Sequence, residues 1–454
     1  MGRSIGASPA GPASGRLEPP AGVAGHGEGA LMWRNWTGDQ SCAPQHRATP
    51  TSVDEVATTV VAAAARGDVV RVVGGGHAFG DNVLTNGTLI SLDGLTGLQH
   101  VDPATGLVRI AAGTRLYEVN ELLDAHGLAL ANLGDINVQS AAGAISTATH
   151  GTGAAFGNLA TFVESMEVVT AAGDVLELAG DDLRAGRVSV GALGVVTAYT
   201  LRTVPAFRLR EKRDRMPLAT VLRDFDALAD GSDHFEFFVF PYADRALTKQ
   251  LERTQDPAQP GSERRAYFDE VILENKVLDL ICRTGRRFPS QIPRLNRLVT
   301  TVAGPSEKVN VGHRVFSSPR EVRFTESELA FPREVLPEVL PRILRVAEQH
   351  TVNFPIEVRV VAADTESMLS PSYGRPTAYV AVHAYQGMAW QEYFAAVQAI
   401  GAEYAARPHW GKRHTLDAAA LSERYPEWDA FQDVRRRLDP DGVFANAHIR
   451  RIFG

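Results

Sequence analysis

Two cysteines, Cys42 and Cys282, are all that the 454 residues contain. They are too few for a disulfide framework and too far apart for a cysteine-based zinc site. Two free thiols fit a reducing, cytoplasmic setting. No run of about 18 apolar residues occurs, so no transmembrane helix is expected. The opening MGRSIGASPAGPASG lacks the apolar stretch of a secretory signal. A basic excess is also missing. The 46 Lys and Arg stand against 53 Asp and Glu, a net charge of −7, which speaks against a dedicated nucleic-acid surface. Large apolar side chains are almost absent from residues 1–32, which are rich in Gly, Ala, Pro and Ser. Such a segment buries too little surface to offset its ordering entropy, so a disordered tail is expected there. The Gly2, Ser4, Gly6 spacing of a nucleophile elbow falls in this tail with no strand before it, and is rejected.

What remains is ordinary globular sequence, 44% hydrophobic and 22% charged, and long enough for two or three structural units. Ser52 and Glu55 form a capping box for a helix ending at Gly67. An apolar strand over 69–73 runs into three glycines. A strand is expected over 107–112, and then a helix capped by Thr114 and ending at Gly127. Residues 168–175 have the pattern of a hairpin with a Gly173-Asp174 turn. A β-branched strand over 194–204 closes this part. Helices mixed with short strands and hairpins indicate α+β rather than a strict βαβ series. Farther on, 235–240 is an aromatic-rich strand. The basic stretch 283–297 is expected to be a solvated face or loop rather than a polyanion site.

Four segments carry candidate chemistry. In the first, Gly74, Gly75 and Gly76 precede His77, Ala78, Phe79 and Gly80. Consecutive glycines after a strand can expose N–H groups to a pyrophosphate. The dinucleotide G-x-G-x-x-G is not met, because position 79 is Phe, which disfavours a nicotinamide dehydrogenase. Taken alone the loop is equally a glycine turn with a surface histidine. In the second, residues 132–153 are small, hydroxyl-bearing or glycine, a poor core helix and a poor strand. They suit a surface that a flat ligand approaches closely, or a glycine-rich loop around a satisfied histidine.

The third comprises two strands. Over 356–361, period-2 alternation sets Glu357 and Arg359 on one face and the valines on the other. Over 379–385 it aligns Tyr379, Ala381, His383 and Tyr385. In isolation a solvated polar face is the favoured account of these, over a polar pocket. The fourth, His409-Trp410-Gly411-Lys412-Arg413-His414, is neither a zinc site nor a Walker loop.

Together these segments resemble the vanillyl-alcohol-oxidase-type flavoproteins, in the branch of the sugar-1,4-lactone and alditol oxidases. The likeness runs over nearly everything after residue 32. It is carried by Gly-x-Gly-His at 74–77, the run at 142–153, the closing strand at 189–197, Glu357-x-Arg359, His383 and His409-Trp410-Gly411-Lys412. It implies a two-subdomain FAD-binding domain over 33–208. A substrate domain over 209–454 would follow, with a large antiparallel sheet covered by helices and a last segment returning to the flavin. The flavin-side residues implied are Gly74, Gly75, Gly76, His77, Ala78, Phe79, Gly134, Asp135, Ser140, Gly143, Thr147, His150, Val196 and Lys412. In relatives the histidine matching His77 is bonded to the flavin, and here Ala78 replaces the usual Ser after it. No metal is implied.

The activity implied is oxidation of a CH–OH group of an aldono-1,4-lactone of L-gulono, L-galactono or D-arabinono type. The electrons would pass to oxygen or another acceptor. The partners are thus a small sugar lactone or polyol and an electron acceptor, with no nucleic acid. Arg359 and Lys412 would stabilise charge, Glu357 would orient Arg359, and His383 would donate a hydrogen bond or act as base. The resemblance places Gly134 where a small residue admits oxygen. Alditol oxidases carry Thr where this chain has Tyr385, which favours a ring substrate. A flavin-binding protein without turnover and a glycine-rich nucleotide scaffold are the rival classes.

Overall fold

The structure is a computed structural model describing residues 32–258, 275–302, 304–318 and 320–454. The expected tail, apart from its last residue, lies outside the described residues. The rejected nucleophile-elbow pattern lies outside them as well.

The first half is α+β, as the sequence indicates. Helix Val53–Arg66 begins at Ser52, whose side chain accepts from the Glu55 N–H at 3.2 Å, and stops at Gly67 with φ +76°. The Glu55 carboxylate reaches the Thr51 N–H at 2.7 Å, so the capping box closes one residue earlier than its usual form. The second helix departs from expectation. It spans Leu116–Asp124 and Arg115 is its N-cap. Thr114 instead donates to the Ala111 carbonyl at 2.6 Å and accepts from the Gly97 N–H at 2.9 Å. Its hydroxyl is spent on the turn before the helix.

Two sheets form this half. His46–Ala48, Thr88–Ser91 and Val70–Val73 make a parallel three-stranded sheet. The second has the order Val175–Leu178, Val163–Val169, Val195–Arg202, Leu107–Ala111, Leu98–Asp102, all antiparallel. The hairpin between its first two strands turns at Gly173, with φ +87°.

The second half is built on an antiparallel sheet of eight strands. Their order is Ser306–Val311, Arg208–Pro217, Arg245–Thr254, His234–Val239, Ile356–Val361, Thr377–Tyr385, Phe324–Pro332, Arg407–Pro408. One face presents Phe235, Phe237, Val358, Val360, Val380, Val382 and Phe331 to helices Leu336–Gln349 and Gln391–Glu403, forming an apolar core. The other face carries charge and looks towards the first half. The basic stretch forms helices Leu278–Arg287 and Ile292–Val302 with its arginines exposed, a solvated face rather than a loop.

Helices Trp428–Leu438 and Ala447–Phe453 return to the first core, where Phe431, Ile449 and Phe453 pack with Val56 and Ile145. Buried Arg71 ties this return in place. It donates to the carbonyls of Asn82, Val190, Gly191 and Phe444 over 2.6–3.0 Å. Among the described residues no helix is long and apolar enough to cross a membrane.

Candidate active site

The glycine loop is held by contacts that exclude side chains. A Cβ on Gly74 would lie 2.0 Å from Ser140 Oγ, and one on Gly75 would lie 2.6 Å from the Val138 carbonyl. Gly76 has φ +65°, a conformation that favours glycine. His77 is half-buried and stacks on Trp36 at 5.2 Å. Burial, and then Arg115 and Lys412, push its imidazole down to about 4, so it is neutral at neutral pH. Ala78 offers its carbonyl to Asn35 at 3.5 Å. Phe79 is buried and its N–H donates to the Gly411 carbonyl at 2.8 Å, which joins the loop to the C-terminal segment.

The second glycine-rich segment is partly a helix, against expectation. Ala141–Ser146 form a short turn of helix because Ser140 accepts from the Gly143 N–H at 3.2 Å and Ala141, Ala144 and Ile145 are buried. Small residues suffice there because the strands and loops around them approach closely. Thr147 donates to the Gly143 carbonyl at 2.8 Å. A Cβ on Gly134 would sit 3.2 Å from the His150 carbonyl, a tight contact that a larger residue would meet only with a small shift of its neighbour. Val196 is buried where a bulge interrupts the pairing of its strand.

The sheet supplies the charged side. Register places Glu236 beside Arg359 and Arg359 beside Tyr379, with Glu357 beside Ala381 and Ala381 beside Glu328. Arg359 is 8% exposed and His383 6%, which overturns the solvated reading in favour of a polar pocket. Alternation sends Val358 and Val360 to the apolar core and Val361 to the charged side with Tyr379 and Ala330, so the valines do not all share one face. Arg359 meets three carboxylates: Glu236 at 2.9 Å, Asp135 at 3.0 Å, and Glu357. Asp135 therefore reaches from the loop after Gly134 to the sheet, and its other oxygen pairs with Arg320. Burial opposes its charge, but Arg359 and Arg320 outweigh that and hold its carboxyl well below the usual range.

Lys412 enters from the loop that follows the edge strand Arg407–Pro408. Its ammonium is 2.5 Å from Glu326 and 5.1 Å from the centre of the Phe79 ring. Burial lowers its pKa, but Glu326 and Glu328 more than offset this and keep it charged. His383 Nδ1 lies 3.0 Å from the Pro355 carbonyl and so carries the proton, while Nε2 faces Glu326 at 3.7 Å. Tyr385 turns away, its hydroxyl donating to Asp279 at 2.7 Å.

His150 stacks on Tyr379 at 3.7 Å, with Nδ1 2.8 Å from the Gly151 carbonyl and Nε2 3.3 Å from Glu328. His150, Glu328 and His409 offer ligand atoms within 4.8 Å of one another. However, His409 Nδ1 accepts from the Gly411 N–H at 3.0 Å. The proton then sits on its other nitrogen, which is not free to ligate.

The cradle fits FAD on its donor chemistry. Arg115 Nη1 is buried without a hydrogen-bond partner, 3.2 Å from where a Gly75 side chain would begin. An unpaired guanidinium nitrogen beside consecutive glycines suits a pyrophosphate.

The structure thus brings the glycine loop, His77, Asp135, Arg359 and Lys412 to one place, with Glu357 and His383 beside them. Sequence reasoning missed Glu236, Lys249, Arg320, Glu326 and Glu328. A signal existed for two of these. Glu326 and Glu328 stand two apart in a strand, the same period as Glu357 and Arg359.

Residues 199–452 match the D-arabinono-1,4-lactone oxidase family, and residues 44–179 match an FAD binding domain. The chain is 49% identical over 426 residues to a Mycobacterium tuberculosis protein named L-gulono-1,4-lactone dehydrogenase, covering 93% of this chain and 99% of that one. It is 31% identical over 443 residues to the Mus musculus L-gulonolactone oxidase, covering 94% and 99%. A cholesterol oxidase from Brevibacterium sterolicum, solved as its His121Ala mutant, shares the fold at a TM-score of 0.79 and 16% identity, over 93% of this chain and 97% of that one.

Proposed function

Because the chain belongs to the D-arabinono-1,4-lactone oxidase family and carries an FAD binding domain ahead of that region, we propose that it is an FAD-dependent oxidoreductase acting on a CH–OH group of an aldono-1,4-lactone. FAD, when bound, supplies the two-electron acceptor for the carbinol hydride. The observation that carries the site assignment is the meeting of the glycine loop with a half-buried and a buried cation. Lys412 lies over Phe79, and Arg359 is tied through Asp135 to the loop that follows Gly134.

Arg359 and Lys412 are fixed charges in a water-poor place, so they stabilise negative charge developing there with no cost of reorganisation. Glu357 and Glu236 hold the guanidinium from two sides. His383 presents one ring edge to Glu326 and lines the pocket with Phe324 and Phe354. Gly74, Gly75, Gly76, Ala78, Phe79, Gly134, Ser140, Gly143, Thr147, His150 and Val196 form the flavin-side surface in this account. We take residues 33–208 as the flavin-binding unit and 209–454 as the substrate unit.

His77 is assigned as the covalent tether, since its neutral imidazole is held against Trp36 at the mouth of the loop. Flavin fluorescence that stays with the denatured polypeptide, and is lost in His77→Ala, supports this; flavin released on denaturation overturns it. The free thiols of Cys42 and Cys282 support a cytoplasmic setting.

The test of function is the visible spectrum of the holoenzyme mixed anaerobically with L-gulono-1,4-lactone, then with xylitol. Bleaching by the lactone is expected. Bleaching by xylitol alone would make the protein an alditol oxidase, and bleaching by neither would overturn the substrate class. The speed of recolouring in air decides whether oxygen or another acceptor takes the electrons.

A further inference from the structure

Three carboxylates share Arg359, and they are not equivalent. Asp135 has a second cation in Arg320, and Glu236 has a second in Lys249 at 2.8 Å. Lys249 is itself half-buried and lies 3.9 Å from Glu211, which also pairs with Arg213 at 2.8 Å. Glu357 has Arg359 as its only ion-pair partner within 4.0 Å among the described residues. One guanidinium cannot neutralise three carboxylates in a water-poor interior. The member without a second partner is the one that most easily takes a proton.

We propose that Asp135 and Glu236 are positioning residues that share Arg359 and stay charged through their second cations, which leaves Glu357 as the group that accepts the substrate hydroxyl proton. This rests on the proposed oxidation at the same site. In the step, the carbinol carbon loses its hydrogen and an electron pair to FAD. The hydroxyl proton passes to the Glu357 carboxylate, which becomes a carboxylic acid, and the carbon–oxygen bond becomes a carbonyl. His383 is the rival base. Its Nδ1 proton is given to the Pro355 carbonyl and its other nitrogen faces Glu326.

Charged groups from several elements of the described residues surround Glu357. Arg359 lies on its own strand, Glu236 on the next strand, Asp135 on the flavin-side loop, and Arg320 on the segment before strand Phe324–Pro332. Lys412 acts from the C-terminal loop, and Glu328 faces Arg359 from two strands away. Burial raises the Glu357 carboxyl first. Asp135 and Glu236 raise it further against the pull of Arg359, to about 8.

The experiment follows flavin reduction by L-gulono-1,4-lactone across pH in the holoenzyme, in wild type, Asp135→Asn and Glu236→Gln. An infrared titration of the protonated carboxyl, identified by its loss in Glu357→Gln, runs in parallel without substrate. Wild type should show a rate rising with pH through the Glu357 titration. Each variant removes a negative charge that raises Glu357, so both the rate limb and the infrared titration should move down by about one pH unit or more. Glu357→Gln should lose the limb. A merely structural role predicts slower rates at all pH with the limb in place, and that result, or a limb surviving in Glu357→Gln, overturns the proposal. If the lactone fails to bleach the wild-type flavin, the substrate reading fails. The infrared titration then still decides whether Asp135 and Glu236 set Glu357.

Discussion

The two faces of the eight-stranded sheet come from the same strands and have opposite constitutions. Phe235, Phe237, Val358, Val360, Val380 and Val382 point one way into an apolar core. Glu236, Glu357, Arg359, His383, Glu326 and Glu328 point the other way into a buried charged layer. Burying apolar surface is favourable in itself. Burying ions is costly unless each finds partners. The first face is therefore expected to carry stability, and the second to be kept for what its charges do. Substitutions on the two faces should separate stability from chemistry.

The largest effect is expected on the apolar face. Phe237 is fully buried against Phe225 and Phe235. Phe237→Ala should cost about 3–5 kcal/mol of stability, read as a lower denaturation midpoint. The rate of flavin reduction in the surviving folded protein should be nearly unchanged. A variant of normal stability and poor reduction would erase the distinction between the faces.

Arg359→Leu comes next and should do the reverse. If the guanidinium stabilises developing charge, flavin reduction should slow by about 100-fold, in stopped-flow with the lactone. Some stability is lost too, because Glu236, Asp135 and Glu357 lose a shared cation. An unchanged reduction rate would remove Arg359 from the chemistry.

The charged face also has a stability signature. Glu357 is raised to about 8 in the folded chain, from an ordinary value of 4.5. A group raised in the native state contributes stability that is full below its unfolded pKa and is lost as pH rises through its folded one. Wild type should therefore lose stability between about pH 5 and pH 8 through this group, and Glu357→Gln should flatten that part of the profile. Thermal midpoints across that window check it. An equal slope in both proteins would show that Glu357 is ionised throughout.

Much of this contrast was legible in the sequence, because a strand declares its faces by alternation. Glu357 and Arg359 against Val358 and Val360 are an instance, as is His383 against Val382. The α+β order, the capped first helix and the glycine loop were legible for the same reason, since each is set by near neighbours in the chain. Whether the polar face met water was not legible. That depends on the first half and the C-terminal segment folding over it, through contacts such as Asp135 to Arg359 and Gly411 to Phe79. Glu236 and Lys249 escaped notice because nothing near them in the chain marks them out, and only cross-strand register sets them beside each other and beside Arg359. Thr114 misled because a hydroxyl before a helix can close the preceding turn as readily as cap the helix.

The smallest effect tests the place where alternation stops deciding the face. Period 2 puts Tyr385 with His383, and a bulky ring there favours a cyclic substrate. The structure instead gathers Tyr385 into the apolar core, under Arg286, with its hydroxyl on Asp279. It sits at the end of strand Thr377–Tyr385, where the chain turns and helix Leu278–Arg287 supplies the nearest partner. Tyr385→Phe should then cost about 1 kcal/mol, the worth of one hydrogen bond. It should leave the preference between L-gulono-1,4-lactone and xylitol as it was. A changed preference would return Tyr385 to the pocket and show that the charged face extends to the end of the strand.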